Sequence, residues 1–497
     1  MRPALLIGAA LLLATPAAAQ SGARTHTRSR APAAPVRVRT PPPTPTARAP
    51  RTLAEALVET YSYNPALLAE RAKLRATDEG VPQAVAGWRP TIIVAGTAGH
   101  GGGLEREFIG GTNAKLPLDR NIATAQATVT QPLYSGGRVN ASIHKANNAV
   151  FAERANLIAE EESAFSDTVN AYVGVVQARD IAAIDRNNEK VLGQQLKATQ
   201  DRFRVGEITQ TDVAQAQAAL ASATATRLTA EGTVQTAEAT YLRAVGSAPP
   251  ADLVPPEPLK LPLRSEQQAA AMAGDNNPSV ISALFGLAGA RNAVDVAFGA
   301  LLPQLSLQGQ ALQSNNASQR SFVSSGYQVL ANLSVPLYQG GAEYSAVRQA
   351  RETVGQQDQL VADARRTAVQ NAVQAWETLQ AALASAASSR AAVDANRVAL
   401  EGTERQALVG TATTLDVLIT QQTLLNSQTS LVQNLASIVT ASYAVASAVG
   451  RLTARDLALP VNYYNDTAYY EAVKNKWFGL KGPDEQSLYG SNVGSRP

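Results

Sequence analysis

The strongest constraint in this chain of 497 residues is an internal duplication. QPLYSGG at 131–137 matches VPLYQGG at 335–341, and VGEITQTDV at 205–213 matches VGTATTLDV at 409–417. Both matches are offset by 204 residues. A repeat at a fixed offset indicates two copies of one structural unit, so the two halves are expected to share one fold.

The start of each unit aligns with a different offset. Pro90 and Pro303 lie 213 residues apart, as do Asn64-Pro65 and Asn277-Pro278. The first copy therefore has nine extra residues between Pro90 and Pro132.

The N-terminus predicts export. Residues 1–19 combine Arg2, an apolar run and a final Ala-Ala-Ala, which is typical of a secretory signal peptide. The chain has no cysteine, which excludes disulfides and an N-terminal lipidated cysteine. No later stretch is expected to form a transmembrane helix, so any membrane insertion is predicted to use strands.

Residues 20–51 are predicted to be a disordered tether, because they are rich in Pro, Ala and Thr and contain seven arginines but no acid. They are either a solvated spacer or a basic strap for anionic cell-envelope polymers. The net charge of the whole chain is +3, and it becomes −5 once Arg2 and these arginines are left out. The basic balance therefore belongs to the tail and does not indicate nucleic-acid binding.

Each copy opens with a predicted helix, at about 53–86 and 266–300, that stops before a proline. Two strands of about ten residues are expected next, because apolar and polar residues alternate as in an outer-membrane barrel wall. Alternation also fits any half-buried sheet. The apolar positions of the alternating runs are Ala123, Ala125, Ala127 and Val129 in the first copy, and Leu305, Leu307, Ala311, Tyr327, Val329, Ala331, Leu333 and Val335 in the second.

The nine-residue insertion falls in the connection of the first hairpin, GHGGGLEREFIGGTNAKLPLDRN. Bacterial barrels have their long loops outside the cell, so the insertion is predicted to be an extracellular loop. Its glycines and His100 do not form a phosphate-binding loop, because neither a helix nor a Lys-Ser/Thr pair follows.

After each PLYxGG motif the composition changes to that of long helices. No proline occurs from Leu133 to Ala248 or from Leu337 to Leu459, and strong helix formers dominate. Phe165, Val169 and Tyr172 have coiled-coil spacing, and Val369, Val373 and Trp376 have the matching spacing in the second copy. Each copy is predicted to be a β-hairpin joined to a helical hairpin about 100 Å long.

Four strands per chain cannot close a barrel, since the smallest bacterial barrels have eight, and an open edge is not stable in lipid. The barrel must then be shared between chains. Two chains would form a filled interior and three a twelve-stranded barrel with a lumen. The polar faces of the helices favour three.

The duplicated plan, both P-L-Y-x-G-G junctions and both V-G turns that end in D-V resemble the TolC family of outer-membrane channel-tunnels over about residues 52–450. The resemblance implies a mixed α and β membrane protein. It also implies a homotrimer with a twelve-stranded barrel and a twelve-helix periplasmic α-barrel, working with a periplasmic adaptor protein and an inner-membrane ABC or RND pump. The run LPVNYYNDTAYYEAVKNKWFGL is similar to tails of alphaproteobacterial members, many of them paired with type I secretion.

In that family the helical turns close the periplasmic entrance, and acidic residues ring it. Asp212 and Asp416 match such positions, which implies cation binding and raised, coupled pKa values in a trimer. Alternatively, each Asp only stabilises the first turn of its return helix. The remaining candidate entrance residues are Thr211, Leu415 and the two turn glycines Gly206 and Gly410, which are expected to have positive φ.

Some family members have a salt-bridge latch in the later copy. Here its positions are Ala407, Ala412 and Ile419, so the resemblance does not extend to a latch of that type. The bend from strand to helix is expected at the periplasmic membrane face, with Tyr134 and Tyr338 either in an interfacial belt or packed in the joint. The candidate junction residues are Pro132, Gly136, Gly137, Pro336, Gly340 and Gly341.

The remaining segments are a Pro-rich linker between repeat 1 (52–247) and repeat 2 (266–450), at 248–265, and a C-terminal segment and tail at 451–497. Because the C-terminal segment is rich in aromatic residues, we expect it to pack around the helices up to about Leu480.

The three histidines lack metal-ligand spacing and no catalytic motif is present, so we expect no enzyme, metal or cofactor.

The predicted function is an outer-membrane exit duct for secreted protein or small toxic molecules. The tail resemblance slightly favours type I protein secretion. A structural protein without transport is the alternative, and a general diffusion porin is a third possibility that would not need such long helices.

Overall fold

The computed structural model describes residues 49–109, 112–316, 322–483 and 488. The predicted signal peptide, the tether up to residue 48 and most of the chain end beyond residue 483 lie outside the described residues.

The two repeats have the same order of elements: short helices, a β-hairpin and a long helical hairpin. In repeat 1 these are α1 (Leu53–Tyr63), α2 (Pro65–Asp78), α3 (Gly80–Val85), β1 (Thr91–Ile109), β2 (Thr112–Ser135), α4 (Arg138–Arg204) and α5 (Gln210–Val245). In repeat 2 they are α6 (Glu266–Asn276), α7 (Pro278–Phe298), β3 (Gln304–Asn315), β4 (Val323–Ser334), α8 (Ala342–Leu408) and α9 (Thr414–Ala448), and α10 (Ala468–Val473) follows.

The opening helix predicted for each repeat is broken at an Asn-Pro pair. Asn64 caps α2 by accepting a hydrogen bond from the backbone N–H of Ala66 at 2.9 Å, and Asn277 caps α7 in the same way. Both Asn amides also donate to the end of a return helix, Asn64 to Ala244 O at 3.2 Å and Asn277 to Ala448 O at 3.1 Å. The break follows because proline fits the first turn of a helix and not its interior.

The four strands form one antiparallel sheet in the order β1-β2-β3-β4. Its register places residues of like polarity on the same face, because side chains alternate along every strand. One face is apolar, with Val94 opposite Ala127, Ala127 opposite Ala311 and Ala311 opposite Tyr327. The other face is mostly polar and hydrogen-bonded, as in the pairs Thr97–Thr124, Gln310–Gln328 and Gln308–Asn332.

The nine-residue insertion does not form the long loop that the sequence predicts. It lengthens the first hairpin instead, since β1 and β2 stay paired from Thr91–Thr130 to Ile109–Thr112. Pairing between β2 and β3 stops at Ala123 and Asn315, so the first hairpin extends beyond the second. Pairing between β1 and β2 gives partners to the N–H and C=O groups of the insertion that face the other strand, since neither strand has a second neighbour there among the described residues.

The long helices have the expected dimensions. α4 and α8 each contain 67 residues, or about 100 Å at 1.5 Å per residue. α5 and α9 return with 36 and 35 residues, and α7 also packs against α4 and α8.

The largest hydrophobic core lies where the short helices meet α4, α5, α9 and the C-terminal segment. Phe165, Val169 and Tyr172 are buried there, whereas Val369 and Trp376 of the second repeat remain half-buried. The two repeats therefore have the same order of helices and strands, but equivalent side chains on α4 and α8 differ in how deeply they are buried.

The prediction that no helix could span a membrane was too strict. Within the described part of the chain, two stretches, Glu266–Leu301 and Thr414–Ala448, are long and apolar enough by composition. Both lie against other helices, because α7 contacts α4 and α8 while α9 contacts α8 and α4. These contacts leave most of both stretches uncovered, since 11% of the apolar window in the first and 39% of that in the second are buried within the chain.

The C-terminal segment packs along α1, α2 and α4. Tyr464 N donates to the Tyr61 hydroxyl at 3.0 Å, and Tyr469 donates to Glu79 Oε1 at 2.8 Å. Trp477, Phe478 and Leu480 are exposed, but packing resumes after them, because Leu488 is buried in the main core and its carbonyl accepts a hydrogen bond from Asn465 N at 2.9 Å.

Candidate functional site

The tip of the first helical hairpin is a glycine turn followed by a capping box. α4 ends at Arg204, and Gly206 adopts φ +85°. Glu207 N donates to Arg202 O and Gly206 N to Phe203 O, both at 3.0 Å, so a Schellman motif ends the helix.

The second tip repeats this arrangement. Gly410 adopts φ +78°, and Thr411 N donates to Gln406 O at 3.0 Å. Positive φ at both turns agrees with the sequence-based expectation, because glycine reaches this conformation without steric cost.

The two candidate gate carboxylates belong to capping boxes of their own return helices. Asp212 Oδ2 accepts hydrogen bonds from Thr209 N at 2.9 Å and Thr209 Oγ1 at 2.6 Å. Asp416 Oδ2 accepts them from Thr413 N at 2.8 Å and Thr413 Oγ1 at 2.7 Å. The structure thus shows the helix-capping role that sequence analysis left open as an alternative.

Raised, coupled pKa values remain a prediction for the trimer, whereas within one chain the threonine caps determine the direction of both shifts. The hydrogen bond from the Thr209 hydroxyl is the main cause that lowers the pKa of Asp212, and the Thr413 hydroxyl does the same to the pKa of Asp416. Both pKa values are lowered, because hydrogen bonds to a carboxylate favour its charged form.

The other candidate tip residues surround these caps. Thr211 and Leu415 are exposed one residue before each Asp. At the positions of a possible latch, Ile419 is exposed, and Ala407 and Ala412 are half-buried.

Sequence analysis missed the exposed apolar side chains at the tips. Val205, Leu408 and Val409 are 72%, 82% and 75% exposed, and Phe203 and Ile419 are also exposed. The adjacent Val205-Gly206 and Val409-Gly410 pairs were visible as repeats. Only the turn geometry shows that these valines cannot reach a core within the chain.

The tips differ in charge. In the first, Arg202 pairs with Glu207 at 3.1 Å and Arg204 pairs with Asp201. In the second, Asp416 is the sole charged residue between Gln406 and Ile419.

The strand-to-helix junctions contain the predicted glycine pairs. Gly136 and Gly137 have φ of +64° and +76°, and Gly340 and Gly341 have φ of +69° and +86°. Pro132 stands at a β-bulge in β2, whereas Pro336 follows the end of β4 at Ser334.

The first junction is closed by a tight contact that the second lacks. A Cβ on Gly136 would overlap Gly299 O and lie 2.8 Å from Leu302 Cβ. A Cβ on Gly340 would meet nothing within 4 Å. The equivalent surface at the second junction is therefore open in a single chain.

No group of residues that could hold a metal ion is found in the described part of the chain. The geometry consists of a two-faced sheet and long helices with exposed apolar tips, which suits a conduit.

Comparison with known proteins identifies the family. The chain matches the outer membrane efflux protein family over residues 56–247 and 270–451. It is 35% identical to the outer membrane efflux protein BepC of Brucella suis, covering 88% of this chain and 94% of that protein.

Two more distant relatives are named as an outer membrane protein and a secretion protein. The chain is 25% identical to the outer membrane protein TolC of Vibrio cholerae over 81% of its length and 92% of the relative. It is also 25% identical to the alkaline protease secretion protein AprF of Pseudomonas aeruginosa, over 53% of its length and 56% of the relative.

The fold agrees with that of solved outer-membrane channels. The structure of VceC from Vibrio cholerae superimposes with a TM-score of 0.70 at 20% identity, covering 80% of this chain and 96% of that one. The chain therefore belongs to the outer membrane efflux protein family, whose members are outer-membrane channels for efflux and secretion and not enzymes.

Proposed function

We propose that three copies of this chain form the exit duct of a tripartite export system, with a twelve-stranded barrel and a twelve-helix tunnel. The observation that carries the proposal is the four-stranded sheet, whose edge strands β1 and β4 pair with no further strand among the described residues. An open edge is not tolerated in lipid. In an order of four antiparallel strands, β4 of one copy can pair antiparallel with β1 of the next, so the sheet can close around an axis.

Three copies fit the two faces of the sheet better than two. An eight-stranded barrel has an interior that side chains fill, whereas twelve strands leave a lumen. The hydrogen-bonded Gln and Asn pairs on one face suit a wet lumen, and the apolar face suits lipid.

We further propose that a periplasmic adaptor protein docks at the helical tips and links the duct to an inner-membrane ABC or RND pump. The exposed apolar residues Val205, Leu408 and Val409 support this proposal, because apolar side chains at such an end are suited to contact with another protein.

Small toxic molecules are the cargo class that we favour, since the relative at 35% identity is named as an efflux protein. Secreted protein is the second candidate, because AprF is named as a secretion protein and the C-terminal run is similar to tails of secretion members.

Deletion of the gene tests both cargo classes. Greater drug sensitivity with an unchanged extracellular proteome would support efflux. Loss of one or a few extracellular proteins would support secretion and identify the cargo. If neither property changes in a host freed of related ducts, the chain is a structural protein and the proposal fails.

We also propose that Asp212 and Asp416 face the axis of the closed entrance. An Asp416→Ala channel in a planar bilayer should then show higher conductance and weaker cation selectivity than wild type. Thr413→Ala is the matched control, because it removes two hydrogen bonds of the same capping box and keeps the charge.

If Thr413→Ala and Asp416→Ala have the same effect, Asp416 acts through the helix cap alone. If the Asp416→Ala channel has the conductance and selectivity of the wild type, the proposal that Asp416 faces the axis of the closed entrance is refuted.

A further inference from the structure

A short loop after α10 exposes three large apolar side chains close together. Trp477, Phe478 and Leu480 are 64%, 87% and 107% exposed. Gly479 adopts φ +112° between them, and Lys476 Nζ donates to Lys481 O, which closes the loop. The apolar group is therefore presented by a defined turn.

The loop is attached beside the start of the sheet. Arg89 Nη1 donates to Lys476 O at 2.6 Å, and the Arg89 guanidinium lies 4.9 Å from the centre of the Trp477 ring. β1 begins two residues after Arg89, at Thr91. Its apolar side chains Ile92 and Val94 are largely exposed as well. The loop is thus near the end of the surface proposed to face lipid.

Cationic groups line a cavity of about 330 Å³ under this loop, with the side chains of Arg89, Lys476 and Lys481 in its wall. Its acid is Glu79, which accepts a hydrogen bond from the Tyr469 hydroxyl. The cavity therefore carries an excess of positive charge next to an exposed apolar group.

We propose that this loop is a binding site for an anionic phospholipid of the periplasmic leaflet. Lys481 and Arg89 contact the phosphate, and Trp477, Phe478 and Leu480 lie against the glycerol and upper acyl chains. Aromatic rings and long cationic side chains favour the depth at which headgroups meet hydrocarbon. Continuity with the exposed apolar face of β1 favours lipid over a protein partner. The inference rests on the proposed placement of the strand-to-helix junction at the periplasmic membrane face.

Fluorescence quenching by brominated lipids tests the site in the full-length protein reconstituted into vesicles. The vesicles contain phosphatidylethanolamine and phosphatidylglycerol, with bromine on the acyl chains of one lipid at a time. The contribution of Trp477 is the difference between wild type and Trp477→Phe. Trp376 on α8, about 50 Å along the helix from its start, is the control away from the bilayer and is measured through Trp376→Phe.

We expect lipid bromines to quench Trp477 and not Trp376, with quenching at least twofold stronger when phosphatidylglycerol carries the bromine. Lys481→Gln should abolish this preference and keep the quenching by total lipid. A Val94→Trp reporter on β1 shows whether the sheet itself contacts lipid. Quenching at residue 94 without quenching at Trp477 would overturn the lipid site alone, and no quenching at either would refute the membrane placement.

Quenching by aqueous acrylamide distinguishes the two other possible surroundings of the loop, which are water and another copy of the chain. If acrylamide quenches Trp477 and lipid bromines do not, the loop lies in water. If neither quenches it, another copy of the chain covers it. Both outcomes overturn the proposal.

Discussion

Two adjacent glutamates on α4 anchor the C-terminal segment through backbone hydrogen bonds. Glu161 accepts from Ala454 N at 2.6 Å, and Glu162 accepts from Leu452 N at 3.3 Å. Burial raises the pKa of both carboxyl groups, that of Glu162 to about 8, and the nearby Glu161 charge adds to the rise at Glu162.

The raised pKa predicts how stability depends on pH. A carboxyl group that binds its proton more tightly in the folded state stabilises the fold most below its unfolded pKa, and this contribution falls as pH rises through the folded value. Glu162→Gln keeps an acceptor and removes the charge. We expect it to stabilise the protein by roughly 1–3 kcal/mol near pH 9 and by much less near pH 5.

Thermal unfolding of the detergent-solubilised protein across this pH range provides the measurement. Glu160→Gln is the control, since Glu160 is a half-buried neighbour without an anchoring hydrogen bond in the structure. Equal stabilisation by Glu162→Gln at both pH values would contradict the prediction.

The glycines at the two junctions should respond differently to substitution. Gly340→Ala incurs about 1–2 kcal/mol for a left-handed backbone. Gly136→Ala has the same backbone cost, and its methyl group also overlaps Gly299 O. We therefore expect Gly136→Ala to lower the free energy of unfolding of the single chain by more, measured by denaturant titration of unassembled protein. A larger effect from Gly340→Ala would show that the close approach of Gly136 to Gly299 is not decisive.

The two helical hairpins are held together by different chemistry. Ion pairs link α4 to α5, whereas α8 and α9, both fully described, are linked by neutral amide–hydroxyl hydrogen bonds and by no ion pair. The ion pairs are Arg179–Glu238 at 2.7 Å, Arg186–Glu231 at 3.0 Å and Arg227–Glu189 at 2.7 Å, and the neutral pairs are Asn396–Ser427 and Asn434–Ser389, both at 2.7 Å.

This difference predicts a salt effect confined to one hairpin. Salt screens partly exposed charges and leaves neutral hydrogen bonds almost unchanged. Amide hydrogen exchange in α5 should accelerate a few-fold in about 1 M NaCl, while exchange in α9 stays constant. The second hairpin is the internal control, and equal acceleration in both would show that the ion pairs do not hold α5.

Across the whole molecule, repeat 1 is more fully covered than repeat 2. Phe165 and Tyr172 are buried, but Val369 and Trp376 in the matching register are half-buried. In the proposed trimer, we expect a neighbouring copy to cover the second repeat in the way that other parts of the same chain cover the first repeat.

The duplication also predicts which residues meet between copies. Ala127 pairs with Ala311 within the chain. Ala331 lies 204 residues after Ala127 and is its equivalent in the second copy, and Ala311 lies 213 residues after Ala98 and is its equivalent. Ala331 of one copy is therefore expected opposite Ala98 of the next.

Cysteines at Ala98 and Ala331 test this register in a chain that has none of its own. Oxidation should produce covalent trimers, because β1 and β4 are separated by two strands within one chain. Gly99→Cys with Ala331→Cys is the control, since a shift of one residue places the side chains on opposite faces. Equal crosslinking by both pairs would contradict the register, and dimers as the final product would contradict the trimer.

Local features of this protein were determined by its sequence. The repeated PLYxGG and V-G motifs predicted both junctions and both tips, because glycine marks positions where φ must be positive. Long runs without proline predicted helices of about 67 residues, and alternating residues predicted strands with two unlike faces.

Tertiary structure decided which groups meet. The contact of Gly136 with Gly299 and the anchoring of Leu452 and Ala454 by two adjacent glutamates join residues far apart in sequence. The spacing of residues along the chain specifies local conformation. Burial and long-range hydrogen-bond partners depend on tertiary packing, which local sequence patterns do not predict.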